Sequence, residues 1–261
     1  MKNVALLSLF ALLAPQDPVQ ERLEKSPRHH EWVQIKVGER TLHAFVVFPE
    51  VKEKAAAIVV IHENKGLNDW ARSAADQFAE AGLIAIAPDL LSGLGPNGGK
   101  TSDFPSADAA TQALYKLPPD QVTADLNACA DYVGKLPACN GKVAVGGFCW
   151  GGGQTFRFAT NRESVAAAYV FYGPAPEEKA AIAKIKAPVY GFYGENDNRI
   201  NAGIEKATAA MKEAGKTYEP VIYKGAGHGF MRAGEMPNAK DDDKKARADA
   251  WVRIKDLLKK L

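Results

Sequence analysis

Residues 143–153 read VAVGGFCWGGG: an apolar run stops at glycines, with one cysteine among them. A buried strand that ends this way turns sharply. Gly147-Phe148-Cys149-Trp150-Gly151 has the spacing of a nucleophile elbow, with cysteine where serine is commoner. A nucleophile in a tight strand-to-helix turn needs a strained backbone. Side chains two residues before and two after it would clash, and Gly147 and Gly151 remove them. Gly152 and Gly153 let the next helix approach the sheet. That helix points the positive end of its dipole at the sulfur, which favours thiolate. The pentapeptide alone also fits a structural cysteine beside a glycine turn. A predicted central strand before it and a helical pattern after it favour the elbow.

Working outward, AAAIVVIH, LIAIAP, KVAVGG, VAAAYVFY and PVYGFYG are near-continuous apolar runs, as parallel strands covered on both faces require. Near the start, EWVQIKV and TLHAFVVF are half-alternating and predict an antiparallel pair at one end of the sheet. Helical patterns lie between most strands. Trp70, Ala74, Phe78 and Ala81 share one face after Asn68-Asp69, and Ile204, Thr208, Met211 and Ala214 share another. A last helix starts near Lys240 and aligns Ala250, Ile254, Leu257 and Leu261. Alternating strand and helix predicts an α/β fold, a mostly parallel central sheet with helices on both faces. Sites in such sheets lie at the carboxyl ends of the strands. The stretch from Leu90 to Pro119 is rich in Gly, Pro and Ser and reads as a lid or pocket wall, or as a surface loop.

At 261 residues and 46% hydrophobic content, the chain can bury one full α/β core. A formal charge of +2 gives no reason to expect nucleic acid or an anionic membrane as partner. No zinc spacing, CxxC pair or internal repeat occurs, so no metal or organic cofactor is expected. Lys2 followed by the apolar run Val4–Leu13 predicts a signal peptide over residues 1–14, too short to span a membrane, and hence an exported protein. A buried N-terminal helix is the alternative. Residues 15–28 read as a polar leader, and 29–261 as a single domain. Cys129 and Cys139 are either buried thiols, the preferred reading, or a disulfide pair.

The partners for Cys149 follow in the chain order of the α/β-hydrolase arrangement: nucleophile, acid, base. PVYGFYG runs into Glu195-Asn196-Asp197, and YEPVIYKGAGHGF places His228 in a glycine-flanked loop. Asp197 is the preferred acid and Glu195 its rival. The Trp150 amide is one candidate oxyanion donor. The Asn64 amide, after the strand that ends at His62-Glu63, is the other. Glu63 sits beside it, and is otherwise a solvated loop acid.

With these pieces in place, the chain resembles the dienelactone hydrolase family (carboxymethylenebutenolidases) from roughly Trp32 to the C-terminus. HENKGLN, APDL, KVAVGGFCWGGG, FYG, YGEND and HGFMR carry the resemblance. It implies a Cys149–His228–Asp197 triad. It also implies that Glu63 contacts the resting thiol and helps generate the thiolate when substrate binds. Arg232 matches an arginine that binds a substrate carboxylate, and Tyr172 matches a pocket-wall position. A surface arginine paired with Glu235 is the alternative for Arg232. A second family arginine is absent, with Gly93 in its place and Lys100 as a possible substitute. The expected activity is cysteine-dependent hydrolysis of small esters or lactones. A cysteine peptidase, and a thiol sensor or binding protein on a hydrolase scaffold, are the alternatives.

Overall fold

The structure, a computed structural model, describes residues 17–261. The expected signal peptide lies outside the described residues. The two half-alternating segments form β1 (His30–Val37) and β2 (Arg40–Val47), paired antiparallel at one edge of the sheet. The apolar runs form β3 (Ala55–Ile61), β4 (Ile84–Pro88), β5 (Cys139–Phe148), β6 (Val165–Phe171) and β7 (Val189–Gly194). β8 (Tyr218–Tyr223) closes the far edge. The order is β1-β2-β4-β3-β5-β6-β7-β8, with every pair from β4 to β8 parallel. β3 shows why the runs are apolar throughout. Ala57, Val59 and Ile61 enter one core, while Ala56, Ile58 and Val60 enter the other.

Among the described residues ten α-helices accompany the strands: α1 (Pro18–Lys25), α2 (Asp69–Glu80), α3 (Ala107–Leu114), α4 (Pro119–Gly134), α5 (Trp150–Asn161), α6 (Lys179–Ala183), α7 (Asn198–Asn201), α8 (Ile204–Glu213), α9 (Phe230–Ala233) and α10 (Asp241–Leu258). Side chains of α1, α2 and α10 pack into one core, and those of α4, α5 and α8 into the other. Asn68 caps α2 by accepting the Ala71 amide at 3.0 Å, and Trp70, Ala74 and Phe78 are buried as the spacing predicts. On α8 the buried residues are Ala207 and Met211, and Thr208 is exposed. None of the helices among the described residues is long and apolar enough to cross a membrane. Cys129 and Cys139 are free, buried thiols.

The stretch 15–28 is not merely a polar leader. Residues 18–25 form α1, and Val19 and Leu23, four apart, are buried against α2. Asp76 on α2 then holds the chain that follows. Its carboxylate accepts from Arg28 at 2.6 and 2.9 Å and from Ser26 at 2.6 Å, and meets His30 Nε2 at 2.8 Å. Burial alone would raise the Asp76 carboxyl, but the bonds from Arg28, Ser26 and His30 outweigh it and leave it below its usual range. The Leu90–Pro119 segment also has structure. It contains two 3₁₀ turns, Pro96–Gly98 and Thr101–Asp103, and then α3. Buried Asp89 pins it by accepting from the Thr101 amide and hydroxyl. Asp76→Ala would leave Arg28 and His30 without their acceptor. It is expected to cost about 3–5 kcal/mol, as breaking one side of a buried pair does, read as a fall in urea midpoint. A depressed carboxyl stabilises the fold above its unfolded pKa and loses that contribution as pH falls through the folded one. The gap between wild type and Asp76→Ala should therefore narrow in acid.

Candidate active site

Cys149 stands between β5 and α5 with φ 55° and ψ −114°. Few non-glycine residues adopt such a backbone, and it holds only where the surroundings over-determine it. Two contacts do so here. The Cys149 amide donates to the Phe171 carbonyl at 3.0 Å, and the elbow glycines admit backbone where side chains would stand. A Cβ on Gly151 would lie 2.4 Å from the His62 carbonyl oxygen and 2.5 Å from that of Ile61. A Cβ on Gly147 would lie 2.3 Å from the Gly151 carbonyl oxygen. The loop after β3 thus crosses directly against the elbow. It carries Glu63 and Asn64.

His228 and Asp197 meet the sulfur. Asp197 caps α7 just beyond β7, and His228 follows β8. His228 Nε2 is 3.2 Å from Cys149 Sγ, and its Nδ1 is 2.5 Å from Asp197 Oδ2. Asp197 is buried, whereas the rival Glu195 turns away and accepts the Gly225 amide at 2.8 Å. The Gly227 amide donates to buried Asp243 of α10 at 2.9 Å, which ties down the histidine loop. The bond to Cys149 is the largest influence on His228. Together with the bond to Asp197 it overcomes burial and holds the imidazole protonated up to about 9. The Trp150 amide opens α5 and has no intrahelical acceptor. Neither it nor the Asn64 amide donates to any described residue.

A cysteine, a histidine and a buried aspartate in line, at the carboxyl ends of β5, β8 and β7, can exchange a proton and attack an electrophilic carbon. Against this geometry, the dienelactone hydrolase family model matches residues 42–261. The chain belongs to the dienelactone hydrolase family.

A "Putative carboxymethylenebutenolidase" of Salmonella typhimurium is 30% identical over 223 residues, 81% of this chain and 80% of that one. One of the same description from Methylorubrum extorquens is 28% identical over 238 residues, 87% and 79% of the two chains. The crystal structure of a "Putative Dienelactone Hydrolase" from Klebsiella pneumoniae superposes with a TM-score of 0.77 at 24% identity, covering 90% of this chain and 99% of that one. The structure of a dienelactone hydrolase from Anabaena variabilis gives 0.64 at 22% identity, covering 87% and 98%. These structural likenesses establish the α/β-hydrolase fold, and the protein is a dienelactone hydrolase-like hydrolase.

One contact implied by the resemblance, and one pairing weighed as its alternative, differ from the geometry. Glu63 does not meet the thiol. Its carboxylate accepts from Arg232 Nε at 2.9 Å and from the Tyr172 hydroxyl at 3.4 Å. The reason is donor strength: a nearly buried carboxylate gains more from a guanidinium than from a weak S–H donor. Nor does Arg232 pair with Glu235, which is held by Arg22 and Arg247. Gly93, in the place of the second dienelactone hydrolase arginine, has φ 81°. A side chain there would be strained. Lys100 Nζ lies over the Trp32 ring, 4.8 Å from its centroid.

Two cavities flank the site. The larger, about 460 Å³, is walled by Trp32, Lys100 and Phe104 and does not include Cys149. The smaller, about 350 Å³, opens onto Cys149 and is lined by Trp150, Tyr172 and Tyr115. Of the two, the smaller reaches the sulfur. Tyr115 follows α3, so the Leu90–Pro119 segment contributes wall to both cavities. Tyr172 is fully buried at φ 40°, with its ring 5.1 Å from that of His228. Sequence reasoning missed His62, whose buried ring stacks on Trp150 at 5.8 Å. It also missed Gln154, Arg157 and Arg199 in the cavity wall. Gly151→Ala should push the elbow off the β3 loop. A loss of about 1–3 kcal/mol is expected for such overpacking, with slower iodoacetamide alkylation of Cys149. A variant matching wild type in urea midpoint and alkylation rate would contradict this account of the turn.

Proposed function

We propose that the protein hydrolyses small carboxylic esters or lactones through an acyl-thioester on Cys149. The observation that carries this is the line from Cys149 Sγ through the His228 ring to Asp197 Oδ2, at 3.2 and 2.5 Å. A protonated His228 beside the sulfur stabilises negative charge that develops there, and thiolate is the nucleophile in this reading. The thiolate attacks the acyl carbonyl. The Trp150 and Asn64 amides receive the developing oxyanion, and losing one such donor typically costs about a hundredfold to a thousandfold. Collapse expels the alkoxide, which takes the proton from His228.

The second half follows from the same electrostatics. Once the sulfur is acylated it carries no charge, and the largest influence holding a proton on His228 is gone. The neutral imidazole then takes a proton from water, and the resulting hydroxide attacks the thioester. The second tetrahedral intermediate releases the carboxylic acid and returns thiolate beside imidazolium. Asp197 keeps Nδ1 engaged throughout, so Nε2 faces the chemistry. Tyr172 forms pocket wall, and Glu63 with Arg232 braces the edge of the site. The substrate carries its own reacting groups, and no step here calls for a metal or organic cofactor.

Cys149→Ala should fold with a near-native urea midpoint and lose nearly all hydrolysis of p-nitrophenyl acetate. Retained turnover would end the thioester proposal. The imidazolium that protonates the leaving group is present below about pH 9 and lost above it. Wild-type kcat/KM should therefore hold through neutral pH and fall as pH rises past about 9. Asp197→Asn removes one of the groups that support the proton and should move that fall to lower pH. A profile still rising above pH 10 would be inconsistent with an ion pair. We further propose that residues 1–14 direct export and are removed near Ala14, as their charge-then-apolar pattern suggests. N-terminal sequencing after fractionation of a bacterial host tests this. An intact N-terminus in the cytosolic fraction would argue against it.

A further inference from the structure

His62 is fully buried just beyond β3, and neither the triad nor the Glu63–Arg232 pair uses it. Its Nδ1 lies 2.7 Å from the backbone carbonyl oxygen of Glu63. A carbonyl oxygen only accepts, so Nδ1 carries the hydrogen. Burial is the largest influence on the ring, and holds it neutral against the bond to Glu63 and the nearby Asp89 carboxylate. Nε2 is then an acceptor, buried with no partner among the described residues. The other tautomer would strand a buried donor at Nε2 and set two acceptors against each other at Nδ1.

The carbonyl that His62 holds belongs to the peptide whose other end is the Asn64 amide. That peptide is planar and trans, so its C=O and N–H point opposite ways and fixing one fixes the other. No backbone amide among the described residues donates to the Glu63 carbonyl, which leaves the imidazole to hold it. The same ring lies parallel to that of Trp150, at 11° with centroids 5.8 Å apart, and the Trp150 amide is the other candidate donor. The His62 carbonyl fills the space of a Gly151 Cβ, so the residue is braced against the elbow from both its ring and its backbone.

We propose that His62 is a positioning residue for the oxyanion site: its Nδ1–H orients the Glu63–Asn64 peptide so that the Asn64 amide points at the developing charge. The inference rests on the proposed thioester reading, in which that amide receives the oxyanion. A donor aimed before the reaction needs no reorganisation when charge appears. A hydrogen bond into a peptide carbonyl also polarises the N–H at its other end and strengthens it as a donor. His62 keeps its proton through every step.

The test uses p-nitrophenyl acetate. His62→Asn sets an amide N–H where Nδ1–H stands, and His62→Leu has nearly the same shape without it. Both lose the ring, so the difference between them reads the hydrogen bond. In His62→Leu kcat should fall about tenfold to a hundredfold, less than for outright loss of an oxyanion donor, with KM little changed. His62→Asn should recover most of that fall. Iodoacetamide alkylation of Cys149 displaces iodide and forms no oxyanion, so its rate should be alike in wild type and both variants. Equal kcat in the two variants overturns the assignment, as does alkylation slowed as much as hydrolysis in His62→Leu, which would mean a loosened elbow. A wild type that hydrolyses no ester fails the thioester reading and this role with it, whereas an active wild type with equal variants fails this role alone. Nitrogen NMR of the wild-type histidine side chains is independent of any variant. It should show a neutral His62 with its hydrogen on Nδ1, and a hydrogen on Nε2 overturns the assignment even where turnover is normal.

Discussion

The backbone of Cys149, at φ 55°, constrains everything around it. Such a turn survives only when its neighbours hold it, and they hold it by coming closer than side chains allow. The His62 carbonyl occupies the space of a Gly151 Cβ, and the Phe171 carbonyl takes the Cys149 amide. β5 must therefore lie between β3 and β6, because both supply backbone to the elbow. The same packing places the two candidate oxyanion donors. The β3 loop that presses on Gly151 leads on to Asn64, and the turn that strains Cys149 exposes the Trp150 amide at the start of α5. Catalytic geometry and sheet order are consequences of one close approach.

Around that turn the charges divide into two pairs, Asp197 with His228 and Glu63 with Arg232. Tyr172 separates them. Its ring lies edge-on to His228, and its hydroxyl reaches Glu63. The two pairs differ in what they leave free. His228 keeps Nε2 toward the Cys149 sulfur, so the proton affinity of its ring depends on that sulfur. Glu63 and Arg232 face each other across the edge of the site.

Much of this was legible in the chain. Seven of the eight strands were visible, because parallel strands covered on both faces need unbroken apolar runs and the edge pair betrays itself by alternation; β8 is a half-exposed edge strand without such a run. The triad was visible because each member follows a strand in the order the fold requires. Other features were hidden for identifiable reasons. α1 buries only Val19 and Leu23 in a strongly polar segment, so its composition resembles a leader. Glu195 and Asp197 sit two apart in one turn, and only the path of the turn decides which faces His228. The partner of Glu63 lies 169 residues away, at Arg232, and no local pattern links them.

The Glu63–Arg232 pair is tied to the elbow through the chain that carries it. Glu63 is nearly buried, accepts from Arg232 Nε at 2.9 Å, and has the Tyr172 hydroxyl at 3.4 Å as its other donor. An anion that took Arg232 through Nε would leave Glu63 with the longer bond alone, and breaking one side of a buried pair commonly costs about 3–5 kcal/mol. Glu63 follows directly on His62, whose carbonyl fills the space of a Gly151 Cβ. Whatever moves the Glu63 carboxylate therefore acts on the loop that presses against the elbow, and the strained turn at Cys149 and the charge pair beside it hold or yield together.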